Sequence, residues 1–116
     1  MDASIMDGST REAGAVTGVR TIRNPILLAD AVMKDGRHVF LSGLGAEEFA
    51  DGVGLERAGP EWFATERRKK ALERMKARQL SAMDVDEKFG TVSAVVLDSH
   101  GNLAAGTSTG GMTGKR

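Results

Sequence analysis

Cysteine is absent from the 116-residue sequence. This absence excludes disulfides, thiolate nucleophiles and cysteine-based metal sites, and it fits a reducing compartment. An excess of charge is also lacking: 16 basic side chains balance 16 acidic ones, so no net field draws the chain to nucleic acid or anionic lipid. Nor does any apolar run approach the roughly 20 residues that a membrane-spanning helix needs. We therefore expect no nucleic-acid partner and no membrane partner.

The first residues, Met1 to Asp7, lack the basic region and the long apolar region of a signal peptide, so none is expected. The expectation is therefore a soluble, cytoplasmic protein. A chain of 116 residues is long enough for one domain at most. Glycine, in contrast, is plentiful at 15 residues, and the glycines separate short apolar runs. That distribution predicts many tight turns between short elements.

The first part of the chain predicts two strands and then a helix. Two short apolar runs, residues 3–8 and 13–19, flank a polar turn and are typical of neighbouring strands. Asn24-Pro25 is typical of a helix start, because Asn can cap free amide groups and Pro at the first helical position sacrifices no hydrogen bond. Gly36 is the predicted end of this helix.

The middle of the chain predicts one more strand and two more helices. Residues 37–43 predict a short strand, and residues 46–51 predict a brief helix anchored by Phe49. A longer helix is predicted over residues 60–78, where the apolar stripe is narrow and most of the surface is charged. Such a helix should lie on the outside of the fold. Residues 81–88 show no periodicity and predict a linker or an exposed loop.

The end of the chain predicts a β-hairpin. Gly90 precedes Thr91, which opens an apolar, β-branched run, and a polar turn and a second short run follow. Asp98 and Asn102 bracket that turn and are predicted to form it. Several strands have the composition of strands that are buried on both faces, which requires covering layers. A chain this short does not obviously supply them, so the sequence looks cut at both ends.

A glycine followed by a threonine can carry out chemistry at such a position. Threonine is a weak nucleophile without an adjacent base, but cleavage of the Gly90–Thr91 bond would provide one in the new α-amine of Thr91. Gly90 permits strained dihedrals and close attack on its carbonyl. The hairpin would carry the hydroxyls of residues 107–109 to the same end of the sheet, and Gly110 and Gly111 could offer backbone N–H groups to an oxyanion. The same residues are also compatible with a plain turn glycine before a strand.

The wider pattern resembles a known family, the plant-type L-asparaginases, also called isoaspartyl peptidases. Residues 91–98 and 101–113 are similar to the start of the family's β-subunit. Four earlier segments are similar to its α-subunit in the right order: Met6-Asp7-Gly8, Ala13-Gly14-Ala15-Val16, Arg23-Asn24-Pro25-Ile26 and Gly45-Ala46-Glu47-Glu48-Phe49-Ala50. The family consists of N-terminal nucleophile hydrolases, so the resemblance implies an α+β fold that is part of a four-layer α-β-β-α sandwich. Residues 1–116 would form a single incomplete domain. Residues 1–90 would be the C-terminal part of the α-subunit, ending in a mobile linker at about 81–90, and residues 91–116 would be the N-terminal part of the β-subunit.

The resemblance also implies a role for each residue of the hairpin's end. The Gly90–Thr91 bond would be cut autocatalytically, with Thr91 as the nucleophile for maturation and for hydrolysis. Thr109 would orient and activate Thr91. Thr107, Gly110 and Gly111 would shape the site. The family hydrolyses L-asparagine and β-aspartyl dipeptides through an acyl-enzyme on threonine, and some relatives in the wider family take glycosylated asparagine.

Other parts of the family's machinery would lie outside the sequence. The substrate-anchoring residues are expected beyond Arg116, and the N-terminal asparagine and the sodium-binding loop would precede Met1. No cofactor or metal is expected within the chain, and the full-length parent should be a homodimer of αβ units. Three departures stand out. Ser93 replaces a common glycine, Gly114 replaces the usual asparagine, and Leu44 lies where a glutamate is common.

Alternative functions rest on weaker signals. The basic run at residues 67–70 is interleaved with glutamates and predicts a solvated helix face. Gly114-Lys115 lacks the remainder of a phosphate loop. His38 and His100 have no metal-ligand spacing. The alternative that stays open is an inactive fragment, or a non-enzymatic relative, that performs no catalysis as given.

Overall fold

The computed structural model describes residues 1–77 and 90–111. These residues form five strands and four helices, in the order β1 (Asp2–Asp7), β2 (Ala13–Thr17), α1 (Pro25–Asp35), β3 (Phe40–Ser42), α2 (Gly43–Gly52), α3 (Pro60–Phe63), α4 (Glu66–Ala77), β4 (Thr91–Leu97) and β5 (Leu103–Thr109). The strands make one sheet in the order β3-β2-β1-β5-β4. The architecture is therefore α+β, as predicted. The linker predicted at residues 81–88 lies outside the described residues.

The sheet is antiparallel except at one edge. Strand β1 pairs antiparallel with both β2 and β5, β5 pairs antiparallel with β4, and β2 pairs parallel with β3. The two predicted N-terminal strands and the predicted hairpin are confirmed. Successive side chains of a strand point to opposite faces of the sheet, so alternate residues of each strand lie on the same face.

One face of the sheet is covered by α1 over β1 and β2, while Val92 and Val96 of β4, which lie on this face, stay exposed. Ala3 and Val16 face each other across β1 and β2 and are buried with Leu28, Ala29 and Val32 of the helix. Gly14 lets the helix approach closely: a Cβ there would collide with the backbone oxygen of Ala29 and lie 2.6 Å from the backbone nitrogen of Met33. The core of the described residues therefore lies between α1 and the β1–β2 part of the sheet.

The opposite face of the sheet is open. It exposes several large apolar side chains, namely Met6, Phe40, Val95, Leu97 and Leu103. The prediction of strands buried on both faces is therefore not met within the described residues. The reason is that the helix that packs on the sheet, α1, covers one face only. A sheet with one partly packed face and one bare apolar face is part of a layered architecture.

The predicted start of α1 is correct, but its predicted cap is wrong. Asn24 precedes the helix, yet its side chain makes no capping hydrogen bond. Gly36 ends the helix as predicted, in the left-handed conformation with φ 72°. Glycine adopts this conformation without the steric cost that a Cβ would bring.

The predictions for the middle of the chain need correction. The strand expected over residues 37–43 is limited to Phe40–Ser42, because Gly43 already begins α2. That helix is longer than the predicted 46–51, and its fully buried residues are Ala46 and Ala50, while Phe49 is only partly buried. Two small residues one turn apart allow the helix backbone itself to approach the core.

The long helix predicted over residues 60–78 is two helices. It is interrupted after α3, and Thr65 then accepts a hydrogen bond from the Arg68 backbone N–H at 3.3 Å through its hydroxyl. When a threonine hydroxyl accepts a hydrogen bond from the backbone N–H three residues later, it caps the start of a new helix. No residue of α4 is buried, and Lys69 pairs with Glu66 at 3.1 Å. The predicted outside position of this charged helix is confirmed.

A carboxylate ties α2 to the segment that follows β2. Glu47 accepts hydrogen bonds from the backbone N–H groups of Arg20, at 2.6 Å, and Thr21, at 3.0 Å. The Thr21 hydroxyl and the Arg57 guanidinium also donate to it, at 2.9 and 3.0 Å. Burial raises the pKa of Glu47, but the backbone amides, the hydroxyl and the guanidinium together lower it to about 2. This carboxylate therefore stays charged and holds the two segments together.

Across residues 1–77 and 90–111, no helix has the length and apolarity that crossing a membrane would take.

Candidate active site

The hairpin of β4 and β5 brings the first residue of one strand opposite the last residue of the other. Thr91 faces Thr109 in the register of the pair, and Leu97 faces Leu103 at the far end. The turn between them is built on Asp98, which accepts the backbone N–H groups of His100 at 2.8 Å and Asn102 at 2.9 Å. The hydrogen bond from the backbone N–H of Asn102 is the main cause that lowers the pKa of Asp98. The predicted role of Asp98 and Asn102 as turn formers is confirmed.

Three polar groups converge on the hydroxyl of Thr109. The Thr91 hydroxyl donates a hydrogen bond to Thr109 Oγ1 at 3.0 Å, and the Gly111 backbone N–H donates to the same oxygen at 3.0 Å. The Thr109 hydroxyl in turn donates to the Gly90 carbonyl oxygen at 3.1 Å. A hydroxyl has one proton and two lone pairs, so the hydrogen-bonding capacity of Thr109 is fully used. Its orientation between Thr91 and Gly90 is thereby defined.

A side chain at position 90 would make close contacts with two neighbours. A Cβ on Gly90 would lie 2.9 Å from Nη2 of Arg68 and 3.1 Å from the carbonyl oxygen of Gly111. The strained dihedral that the sequence suggests at Gly90, a positive φ, involves residue 89, which lies outside the described residues, and it stays a prediction. Gly111 has a positive φ of 77°, and this conformation directs its N–H back towards Thr109. That N–H is therefore engaged within the chain rather than free for an oxyanion.

A second hydroxyl pair lies beside the first. Ser93 Oγ and Thr107 Oγ1 are 3.0 Å apart, and the two residues face each other across β4 and β5. Residues two apart in a strand share a face, so this pair lies on the same face as Thr91 and Thr109. It is the open face, because α1 packs on the other one.

Strand β1 extends this polar region. Asp2 lies opposite Thr109 and Ser4 opposite Thr107. Asp2 accepts hydrogen bonds from the Thr17 hydroxyl at 2.5 Å and from the Gly18 N–H at 2.9 Å. A band of hydroxyl and carboxylate groups therefore crosses the open face at one end of the sheet, while the rest of that face is apolar.

The structure brings most of the predicted site residues together. Gly90, Thr91, Thr109 and Gly111 are linked by hydrogen bonds, and Thr107 lies two residue pairs further along the strands. Gly110 lies between Thr109 and Gly111 at the exposed end of β5. Their assignment as nucleophile, orienting residue and site-shaping residues stays a prediction.

Two neighbours of the site were missed by sequence reasoning. Asp2 and Ser4 received no role, although polar residues at alternate positions of a predicted strand could have marked its polar face. Ser93 stands out in the sequence only as a departure from the family pattern. Its hydrogen-bond partner could have been found from the hairpin register once Thr91 was aligned with Thr109.

Other candidate residues lie away from this cluster. Leu44 is exposed on α2, and Gly114 lies outside the described residues. Within residues 1–77 and 90–111, no group of three or more His, Asp or Glu side chains could hold a metal ion.

The chain is similar to known proteins along its whole length. A family model described as asparaginase matches residues 1–116. The isoaspartyl peptidase of Escherichia coli (strain K12) is 49% identical over 124 residues, which cover 99% of this chain and 38% of that protein. The isoaspartyl peptidase/L-asparaginase of Mus musculus is 50% identical over 116 residues, covering 99% of this chain and 36% of the relative. The Homo sapiens protein of the same name is 47% identical over 116 residues, which cover 99% of this chain and 38% of that protein. The chain spans somewhat more than a third of the length of these curated relatives, and it belongs to the asparaginase family.

Proposed function

We propose that this chain is a segment of an autocatalytically processed threonine amidohydrolase, which hydrolyses L-asparagine and β-aspartyl (isoaspartyl) peptides through an acyl-enzyme on Thr91. The names of the relatives, which include both isoaspartyl peptidase and L-asparaginase, support the substrate class. The observation that carries the proposal is the chain of hydrogen bonds from Thr91 through Thr109 to the Gly90 carbonyl.

Maturation follows from the direction of those hydrogen bonds. The Thr91 hydroxyl oxygen attacks the Gly90 carbonyl carbon, and its proton passes to Thr109 Oγ1. The Thr109 proton passes to the Gly90 carbonyl oxygen, so the tetrahedral adduct forms without a net charge. As the adduct collapses, the proton of its new hydroxyl passes to the Thr91 nitrogen, the Gly90–Thr91 C–N bond breaks, and an ester between Gly90 and the Thr91 side chain remains. Water then hydrolyses the ester, which gives a Gly90 carboxylate and a free α-amine on Thr91.

Turnover uses the group that maturation creates. The free α-amine of Thr91 accepts the hydroxyl proton while the oxygen attacks the side-chain carbonyl of asparagine or of a β-aspartyl peptide. The leaving amine takes up the proton that the α-ammonium group of Thr91 now carries, and it departs as ammonia or as the released peptide portion. Water then hydrolyses the β-aspartyl ester, which releases aspartate and regenerates Thr91. Thr109 holds the nucleophile's oxygen throughout.

The open face of the sheet supports the finer description of the fold. We infer that a second sheet covers this apolar face and completes a four-layer α-β-β-α sandwich, with the polar band at one end of the cleft between the sheets. Residues 1–90 and 91–116 would then belong to the α-subunit and the β-subunit. Substrate-anchoring groups would come from outside this chain, and two αβ units would form the homodimer.

The test compares full-length wild-type protein with Thr91→Ala and Thr109→Val, using Thr10→Ala in the β1–β2 turn as a matched control. Mass spectrometry should find a new fragment that begins at Thr91 in the wild type and in the control, and none in Thr91→Ala. Thr109→Val should slow both cleavage and aspartate release by about 100-fold or more, because it removes a preorganised hydroxyl. An intact wild-type chain after long incubation, with no hydrolysis of asparagine or of β-aspartyl dipeptide, would favour the inactive alternative.

A further inference from the structure

We propose that Ser93 is a positioning residue: through its hydrogen bond with Thr107, it holds the cleaved N-terminal Thr91 beside Thr109. The inference rests on the proposed function, because it concerns the mature form of the same site. It assigns a role to a hydroxyl pair that does not itself react.

Strand β4 receives little side-chain support from β5. Across from its middle residues, β5 offers Ala104, Ala105 and Gly106. Such small side chains provide few cross-strand contacts, whichever layers cover the sheet, and cross-strand pairs are what stabilise a sheet locally. Between the two strands, within the part of the chain that the structure describes, side-chain hydrogen bonds occur at Thr91–Thr109 and Ser93–Thr107.

Cleavage changes what holds Thr91. Before cleavage, Thr91 is anchored through Gly90, whose carbonyl oxygen accepts the Thr109 hydroxyl at 3.1 Å. After cleavage that covalent tether is lost, and Thr91 becomes the free end of a strand at the edge of the described sheet. Chain ends fray unless they are tied down. The Asp98 turn defines the register at the far end of the strand, so it gives the free end little protection.

The Ser93–Thr107 pair is the next support inward from the nucleophile. It lies on the same face as Thr91 and Thr109, two residues along each strand, or about 7 Å by strand geometry. While Ser93 stays bound to Thr107, the strand cannot peel away beyond Thr91 and Val92. The hydroxyl pair therefore raises the fraction of mature molecules in which Thr91 and Thr109 are in contact, without touching the substrate.

The test uses three variants of the full-length protein. Ser93→Ala removes the hydroxyl and keeps the Cβ, Ser93→Thr restores a hydroxyl, and Ser108→Ala removes a hydroxyl from the opposite face of β5. Ser93→Ala should lower kcat about two- to fivefold with KM unchanged, which is the range expected for one cross-strand hydroxyl pair. It should change the rate of cleavage less than it changes kcat, because the precursor still has its tether. Ser93→Thr should recover kcat, and Ser108→Ala should match the wild type.

A second measurement separates this inference from the proposed function. The protein is produced as two co-expressed chains, the second beginning at Thr91, so that no autocleavage is needed. Hydrogen exchange at the first amides of β4 should be faster in Ser93→Ala than in the wild type or in Ser108→Ala. Equal exchange in all three would overturn the positioning role, as would an equal loss of cleavage and turnover in Ser93→Ala. If the wild type neither cleaves nor hydrolyses, the proposed function fails, while the exchange result still decides whether Ser93 holds the strand's free end.

Discussion

The Glu47 carboxylate offers the most quantitative test of the packing between α2 and the rest of the described fold. Its side chain is 15% exposed and accepts hydrogen bonds from Arg20, Thr21 and Arg57. The pKa of Glu47 lies at about 2 instead of its ordinary 4.5. A difference of that size corresponds to about 3 kcal/mol of folding free energy at neutral pH, at 1.36 kcal/mol per pKa unit. We therefore expect Glu47→Gln to lower the free energy of unfolding at pH 7 by about 3 kcal/mol.

The pH dependence has a defined sign. The pKa of Glu47 is lower in the folded state than in the unfolded state, so its stabilisation is fully present above about pH 4.5. The stabilisation is lost progressively as the pH falls towards 2, because the folded state must then give up a charged, hydrogen-bonded carboxylate. The difference between wild type and Glu47→Gln should therefore narrow between pH 4.5 and pH 2.

Urea unfolding of the full-length protein at pH 7, 5 and 3 measures this difference. Glu48→Gln is the matched control, because Glu48 is the next residue of the same helix and is exposed. It should stay within about 0.5 kcal/mol of the wild type, as exposed substitutions usually do. A Glu47→Gln difference below about 1 kcal/mol at pH 7, or one that does not shrink at pH 3, would refute the reasoning.

Two further substitutions test the packing of α1 and the hairpin turn. Gly14→Ala should destabilise the protein by about 1–3 kcal/mol or more in urea unfolding, because the added Cβ meets the backbone of Ala29 and cannot be relieved by a side-chain rotation. Its control, Gly45→Ala on α2, has open space around the added Cβ and should be neutral or stabilising, so equal losses in the two variants would contradict the packing argument. Asp98→Ala removes the acceptor of two turn amides and should speed hydrogen exchange at His100 and Asn102; unchanged exchange there would exclude Asp98 as the turn's organiser.

Local pattern was enough to predict the elements that carry their own start and stop signals. The strand pair at the N-terminus, the helix between Pro25 and Gly36, and the hairpin around Asp98 are confirmed. In each case the signal is a turn residue or a helix breaker whose effect does not depend on distant contacts. The break at Thr65 is not predicted by the sequence because no glycine or proline separates Glu61 from Ala77, and the Thr65 hydroxyl decides where the second helix begins.

Some contacts of the candidate site could be predicted from the sequence and others could not. The pairing of Thr91 with Thr109 follows from hairpin register and was predictable from the sequence. The approach of Asp2 and Ser4 was not, because it depends on β1 pairing with β5 across almost the whole length of the chain. Nothing in the local sequence of either strand specifies that partner.

By itself, the sequence determined that a glycine precedes a threonine at a strand's start and that a hairpin returns a second threonine to it. Only the tertiary structure decided that β1 lies in the middle of the sheet, that α1 covers one face, and that the hydroxyl band falls on the other. The physical reason is that turns and helix ends depend on the dihedral preferences of a few adjacent residues. Strand order, in contrast, depends on which distant surfaces bury the most apolar area together. Here Gly14 permits the close approach of α1, and that packing leaves Thr91 and Thr109 on the open face.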